Sequence, residues 1–367
     1  MEIKIYFLIF TLTTLFFLPT PTTARGIHTA RGAHTNNITA VFAFGDSVLD
    51  SGNNNGLLTI FQANHPPYGR DFPGRIPSGR FSNGKLTTDF IVSDLGLKEL
   101  LPAYLDQTLT DRDLLTGASF ASAGTGLDDL TASEAHVLSM GTQLGYFEHA
   151  LRRMERAVGS EEAGRIVENA LFVVGAGTND MMYNFYGLPI RTSYTLSGYQ
   201  DLLLRNLETV IRRLHTMGAK RIGVMGLPPI GCLPVQVTIG SLMPSLHMFQ
   251  RMCINQQNVD SQSYNAKLQA LTYRLQMSLP GSRVVYVDIY NPMMNMIRNP
   301  AAFGFEKTLD GCCGIGSLEM GPLCNALAPT CPNPSNYLFW DAVHPTQATY
   351  STLANHFQKN VLPSLLA

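Results

Sequence analysis

The sequence carries little charge of either sign. Of its 367 residues only 26 are Lys or Arg and 27 are Asp or Glu, giving a formal net charge of -1 at pH 7. Near-balance of this kind removes the electrostatic footprint of a nucleic-acid binder. The densest basic stretch, LRRMER at 151–156, reads as the wet face of a helix. With charged residues at 14% and hydrophobic ones at 45%, extended disorder is also excluded. There is no C-x-x-C pair, so the cysteines point to disulfides rather than to a metal site. No G-x-S-x-G occurs, which removes the common α/β-hydrolase nucleophile elbow. Internal repeats, low-complexity linkers and a second long apolar run are missing too, which favours one domain.

What is present begins at the N-terminus. Lys4 precedes an apolar run from Ile5 to Leu18, followed by Pro19, Pro21 and small residues up to Ala24. This is the layout of a secretory signal peptide over residues 1–24, the apolar run being too short for a comfortable membrane span. Residues 25–38 read as a polar arm and 39–367 as a single domain, expected to lie outside the cell without a transmembrane segment. Secretion places Cys232, Cys253, Cys312, Cys313, Cys324 and Cys331 in an oxidising compartment, where an even count reads as disulfides. The pairing stays open, except that the adjacent Cys312 and Cys313 are not expected to join each other and 312–331 should staple a long loop. The sequon Asn37-Ile38-Thr39 marks a glycan beside the mature N-terminus.

Short apolar runs bounded by glycine then alternate with segments of helical period. Strands are expected at 39–45, 116–124, 170–177, 221–227 and 283–289, because their apolar cores are short and scarcely alternate, as in strands covered on both faces. Between them, Leu203, Leu207, Val210, Ile211 and Leu214 recur at helical spacing, as do Leu268, Leu271, Leu275 and Leu279. This alternation predicts an α/β fold with about five parallel strands between helices. The Gly-, Pro- and Arg-rich stretch 65–85 reads as an ordered loop that borders a groove or merely the surface. The Met-rich NPMMNMIRNP at 291–300 is either helix packing or an adaptable apolar surface for an acyl chain.

In a parallel sheet, sites form beyond the carboxyl ends of the strands. Four small-polar clusters sit near such ends or in loops able to reach them: GDS (45–47), SAGTG (122–126), GTND (177–180) and DAVHP (341–345). Each alone is an ordinary turn; together they supply the parts of acyl transfer. A serine hydroxyl is a poor nucleophile until an imidazole takes its proton. Asp341, three residues before His344, is placed to orient that imidazole and stabilise its charged form. Ser47 N–H, Gly124 N–H and the Asn179 amide are candidate donors to the oxyanion. Asp46 reads as a turn or cap residue, Asn53, Asn54 and Asn55 as satisfying backbone groups in a tight loop. His65, His136, His149, His215 and His247 have no partner pattern and read as structural or surface residues.

The ordered set FGDSVLDSGNNN, SFASAGTG, GTND and FWDAVHPTQ resembles the GDSL esterase/lipase family of the SGNH hydrolase superfamily, in its secreted plant branch. The resemblance runs from about Thr39 to the C-terminus and includes GLPPIGCLP (226–234), CINQQN (253–258) and GCCGIG (311–316). It implies Ser47 as nucleophile, His344 as base and Asp341 as its partner, with Gly124 and Asn179 completing the oxyanion hole. It further implies a flavodoxin-like three-layer α/β/α fold, no metal and no cofactor. One departure is visible: Val48 stands where the family motif has leucine, an apolar exchange expected to be neutral. The expected function is a secreted serine esterase or lipase working through an acyl-enzyme on Ser47. The rival readings are an acyltransferase with the same triad in cuticle or wall chemistry and a catalytically silent binding or defence protein. Selectivity is expected from loops 57–82, 128–142, 181–195 and 235–250.

Overall fold

The computed structural model describes residues 38–187, 189–242 and 249–367. The expected signal peptide, the expected arm as far as Asn37, which is the expected glycan acceptor, and His247 lie outside the described residues.

Five parallel strands form the central sheet: Val41–Gly45 (β1), Gly117–Ser119 (β2), Leu171–Gly175 (β3), Arg221–Met225 (β4) and Arg283–Val287 (β5). Their spatial order is β2-β1-β3-β4-β5, the flavodoxin-like winding in which the chain reverses direction between β1 and β3. Every residue of β1 and β3 is buried, which is why these runs do not alternate in sequence. The two faces are nevertheless distinct. Phe42 and Phe44 pack with Phe120, Phe147 and Phe172 on one side, under the helices Met140–Val158, Leu196–Thr216 and Asn255–Ser278. Val41 and Ala43 face Ile91, Val92, Ala354 and Phe357 on the other, from the helices Thr87–Asp94 and Gln347–Asn360. Burying a phenylalanine contributes about 1.5–3 kcal/mol, so this five-ring cluster is a main source of stability for the sheet.

The helices form where the periodicity places them. Leu203, Leu207, Val210, Ile211 and Leu214 are all buried along Leu196–Thr216, whose first turn is capped by Thr195 accepting from Gly198 N–H at 3.1 Å. The expected 116–124 strand is shorter than its apolar run: only 117–119 belong to β2, and the chain then bends toward the site.

A second, two-stranded parallel sheet was not expected: Lys307–Gly311 (β6) and Tyr337–Phe339 (β7). β6 reads KTLDG and is half exposed, so no apolar run betrays it. This small sheet carries the disulfide-rich segment. Cys312 joins Cys331 and Cys313 joins Cys324, while Cys232 joins Cys253. Cys312 N–H donates to Phe339 O and Cys313 N–H to Trp340 O, so the cross-linked loop is tied to the strand leading into Asp341. Among the described residues no helix is long and apolar enough to cross a membrane.

Candidate active site

The carboxyl ends of β1 and β3 flank the reversal point of the sheet, where a crevice opens. Residue packing there demands glycine. Gly45 closes β1 at φ 138°, and a Cβ on it would stand 1.8 Å from the Gly175 carbonyl oxygen. The buried Gln143 side chain clasps the same residue, accepting from Gly45 N–H at 2.8 Å and donating to Gly45 O at 2.9 Å. Asp46 N–H donates to Gly175 O at 3.1 Å, so the turn that follows β1 starts from a fixed point.

On that turn sits Ser47, 297 positions away from His344 in sequence, yet its Oγ lies 2.8 Å from His344 Nε2. His344 Nδ1 is 2.7 Å from Asp341 Oδ2 and 2.9 Å from Oδ1. A proton on Nδ1 satisfies the carboxylate, leaving Nε2 to accept from the serine. Asp341 is fully buried and held by three further donors: Val343 N–H, His344 N–H and the Tyr68 hydroxyl at 2.7 Å. Tyr68 in turn accepts from Gly321 N–H at 2.8 Å. The imidazole packs against Phe81, ring centres 4.6 Å apart. Loop 65–85 thus reaches the site from behind, through Tyr68 and Phe81. It is anchored by Arg80, whose guanidinium makes two bonds to the buried Asp89 at 2.8 and 2.9 Å.

The segment after β2 is shaped by the polar residues that follow Ser47. Asp50 Oδ2 accepts from Ala123 N–H at 2.9 Å, and Asn54 Nδ2 donates to Ala123 O at 2.9 Å. Asn53 Nδ2 donates to Ser119 O and Ala121 O. The expectation that these residues satisfy backbone groups in a tight loop is corrected for Asn53, which binds the main chain about 66–68 positions away, and holds in part for Asn54, which donates both to Phe61 O of its own loop and to Ala123 O. Asn55 does bond within the neighbouring loops, to Ser78 O. Gly124, pinned by these bonds, has φ 88° and faces the Phe61 ring, 3.0 Å from where a Cβ would stand. Among the described residues the N–H groups of Ser47 and Gly124 have no hydrogen-bond acceptor. Asn179 follows β3 and gives one amide hydrogen to Thr125 O at 2.9 Å, which orients the second. All five residues expected from the sequence are thus gathered at one sheet edge.

Buried carboxyl groups surround this centre. Burial pushes Asp46 up to about 7, against the Val48 N–H bond and the nearby His344, which favour its charged form. Asp46 Oδ1 accepts from Val48 N–H at 3.2 Å, the turn role expected of it. Asp50 and Asp180 are each pushed up to about 6 by burial. Asp180, next to Asn179, accepts from Leu127 N–H, Asp128 N–H and the Thr131 hydroxyl, tying the β3 end to loop 127–131. Sequence reasoning missed Tyr68, Gln143 and Asp180 as supports; Asp180 alone carried a signal, being part of GTND.

Two apolar cavities meet at Ser47. The first, about 60 Å³, lies over the sheet edge between Leu49, Met225, Leu233, Ile289, Met293 and Leu353. The second, about 200 Å³, is walled by Phe61, Phe81, Tyr183, Met320 and Leu323. Val48 is half-buried, packs with the core facing Leu49 and lines the first cavity, as its apolar character led one to expect. Loops 57–82 and 181–195 line the second cavity, but 128–142 and the described part of 235–250 line neither. The disulfide-bound residues 320–323 take their place, brought in by the small second sheet whose pairing left no apolar pattern.

A parallel sheet bearing a hydrogen-bonded serine, histidine and aspartate at its carboxyl edge has the arrangement of a hydrolase that works by acyl transfer. The family model and the sequence relatives narrow this class. Residues 41–357 match the model of the GDSL-like Lipase/Acylhydrolase family. The chain is 52% identical over 328 residues to GDSL esterase/lipase At2g40250 of Arabidopsis thaliana, covering 89% of this chain and 91% of that one. It is 45% identical over 325 residues to GDSL esterase/lipase At2g30220 of the same plant, covering 88% and 89%. Among solved structures it is loosely similar to LAE5, an alpha/beta hydrolase enzyme from the metagenome of Lake Arreo, Spain. That likeness has 13% identity, 89% and 94% coverage and a TM-score of 0.38. The chain belongs to the GDSL-like lipase/acylhydrolase family and is a hydrolase of ester bonds. The family implies small-molecule esters as substrates.

Proposed function

We propose that this protein is a secreted serine esterase that cleaves carboxylic esters through an acyl-enzyme on Ser47. The observation that carries this reading is the 2.8 Å bond between Ser47 Oγ and His344 Nε2, with Asp341 behind the ring. His344 takes the hydroxyl proton as Oγ attacks the ester carbonyl. Negative charge then gathers on the carbonyl oxygen, beside the N–H groups of Ser47 and Gly124 and the free hydrogen of the Asn179 amide. The protonated imidazole is steadied by Asp341 and returns its proton to the departing alkoxide, releasing the alcohol. A water molecule next gives its proton to His344, attacks the acyl carbon, and frees the acid and Ser47 Oγ–H. Every proton passes through residues of this chain, and the cycle calls on no metal or cofactor.

Three disulfides and the signal-peptide pattern of residues 1–24 support export to the apoplast or cell wall, with a glycan on Asn37. The test is Ser47→Ala assayed on p-nitrophenyl butyrate beside a fluorophosphonate probe. Loss of roughly 10⁴-fold or more in kcat/KM and of labelling is expected. Retained activity in the variant, or labelling of a residue other than Ser47, overturns the proposal. N-terminal sequencing of the exported protein checks cleavage near Ala24.

A further inference from the structure

The two cavities beside Ser47 are unequal in size, in shape and in what lines them. Both include Ser47, Asn179 and Val343, so they adjoin at the serine. Only the larger one includes His344 and Gly124. We infer that the smaller cavity receives the acyl part of the ester and the larger one the alcohol part, so that the enzyme prefers short acyl groups on bulky apolar alcohols. This rests on the acyl-enzyme reading above and specifies its substrate class.

The argument is one of directions around a tetrahedral carbon. Four groups surround it: Ser47 Oγ, the oxyanion, the leaving oxygen and the acyl tail. His344 Nε2 must reach the leaving oxygen to protonate it, at hydrogen-bond distance. The alcohol therefore departs on the histidine side, which is the 200 Å³ cavity walled by Phe61, Phe81 and Tyr183. The oxyanion is held between the Ser47 and Gly124 N–H groups and Asn179. The direction left for the tail is the one that passes Asn179 and Val343 away from His344, into the 60 Å³ cavity. Met225, Leu233, Ile289 and Met293 are among the residues that wall that cavity. Met293 and Leu233, each 2% exposed, form its buried floor, while Met225 and Ile289 are half-buried at its side. Its volume holds roughly four to six water-sized atoms, the size of an acetyl to butyryl or pentanoyl chain. The larger cavity opens instead between Ile60, 69% exposed, and Leu323, 60% exposed, so a bulky apolar alcohol can extend past the rim. Met293 belongs to the Met-rich stretch 291–300, and a flexible thioether is suited to a floor that shapes itself to short chains.

The test uses two ester series on the full secreted protein: p-nitrophenyl esters from acetyl to decanoyl, and acetates of alcohols from ethanol to 2-naphthol. For the wild type, kcat/KM is expected to peak at short acyl groups, to fall at least tenfold by decanoate, and to rise with alcohol bulk. Met293→Ala should raise the decanoate-to-butyrate ratio about tenfold or more and keep the ranking of the alcohols. Phe61→Ala should reorder the alcohols and keep the acyl optimum. Met293→Phe shortens the same floor and should lower butyrate relative to acetate, which keeps the test open if Met293→Ala does not fold. The inference is overturned if wild-type activity rises steadily with acyl length, or if Phe61→Ala moves the acyl optimum and Met293→Ala the alcohol ranking. A protein that hydrolyses no ester, or retains hydrolysis in Ser47→Ala, fails at the mechanism instead, and the two failures are told apart by that control.

Discussion

Replacing Tyr68 by phenylalanine removes one oxygen from the support of Asp341 and leaves the ring in place. The hydroxyl is the only donor to Asp341 that comes from outside the 341–344 turn among the described residues, and it sits 2.7 Å from Oδ2. It also accepts from Gly321 N–H at 2.8 Å, so the change strands a main-chain donor in a site where Tyr68 is 1% exposed. A hydrogen bond to a charged group is worth about 1.5–3 kcal/mol, and an orphaned buried N–H adds to its loss. Together they predict a destabilisation of about 2–4 kcal/mol, or roughly 3–6 °C in Tm for a domain of this length. Rate should fall by less than about tenfold, because Ser47, His344 and the oxyanion donors are untouched. Thermal unfolding and steady-state kinetics on p-nitrophenyl butyrate read both effects. Unchanged stability together with unchanged kcat/KM would refute the reasoning that Tyr68 acts through Asp341.

Three other outcomes follow from the geometry. Asn179→Ala should lower kcat by roughly 10²–10³-fold with a smaller change in KM, measured by steady-state kinetics on one ester. The carboxyl of Asp46, pushed up to about 7 by burial, keeps its proton in the folded protein over a range where the unfolded chain, near 3.8, has lost it. Its stabilising contribution is full below about 3.8, declines as pH rises and is gone above about 7, an effect on the order of 4 kcal/mol. Asp50 and Asp180, pushed up to about 6, act in the same direction. Asp46→Asn should therefore flatten the fall in urea-derived stability between pH 4 and 7. Replacing Cys313 and Cys324 together by serine opens an 11-residue loop and should cost about 2–3 kcal/mol. It should also raise KM for bulky alcohol esters more than for ethyl acetate, since residues 320–323 line the larger cavity.

The legible parts of this protein are those whose physics is local or whose chemistry restricts residue type. The runs around Val41 and Leu171 announced buried strands because a two-sided parallel sheet tolerates little else. The 2-1-3-4-5 winding came only with the family resemblance, for nothing in a strand names its neighbours. Ser47, Gly124, Asn179, Asp341 and His344 stood out because acyl transfer needs a nucleophile, a base, its partner and donors, each beside a strand end or on a reachable turn. Tyr68 was hidden because its partner lies 273 positions away and a tyrosine in a Gly- and Pro-rich loop has no distinguishing pattern. The second sheet was hidden because Lys307–Gly311 is polar and half exposed. The role of Asn53, and half of that of Asn54, was misplaced for a related reason: an asparagine's amide does not reveal whether it bonds nearby or across the fold.

Four bonds from Asp50, Asn53 and Asn54 to residues 119–123 end on main-chain N–H and C=O groups, and one side-chain bond, from the Ser122 hydroxyl to Asn54 Oδ1, joins them. What is recognised there is the path of the chain, which every amino acid but proline presents alike. The partner segment is thus relieved of any need for particular functional groups at Ala121 and Ala123; both are 0% exposed, and only bulk is forbidden. Information about where the glycine after β2 must stand is written around the serine instead, so drift in one segment is corrected by the other. Substitutions at 53 or 54 should accordingly behave as lesions of residue 124, felt at a distance from where they are made.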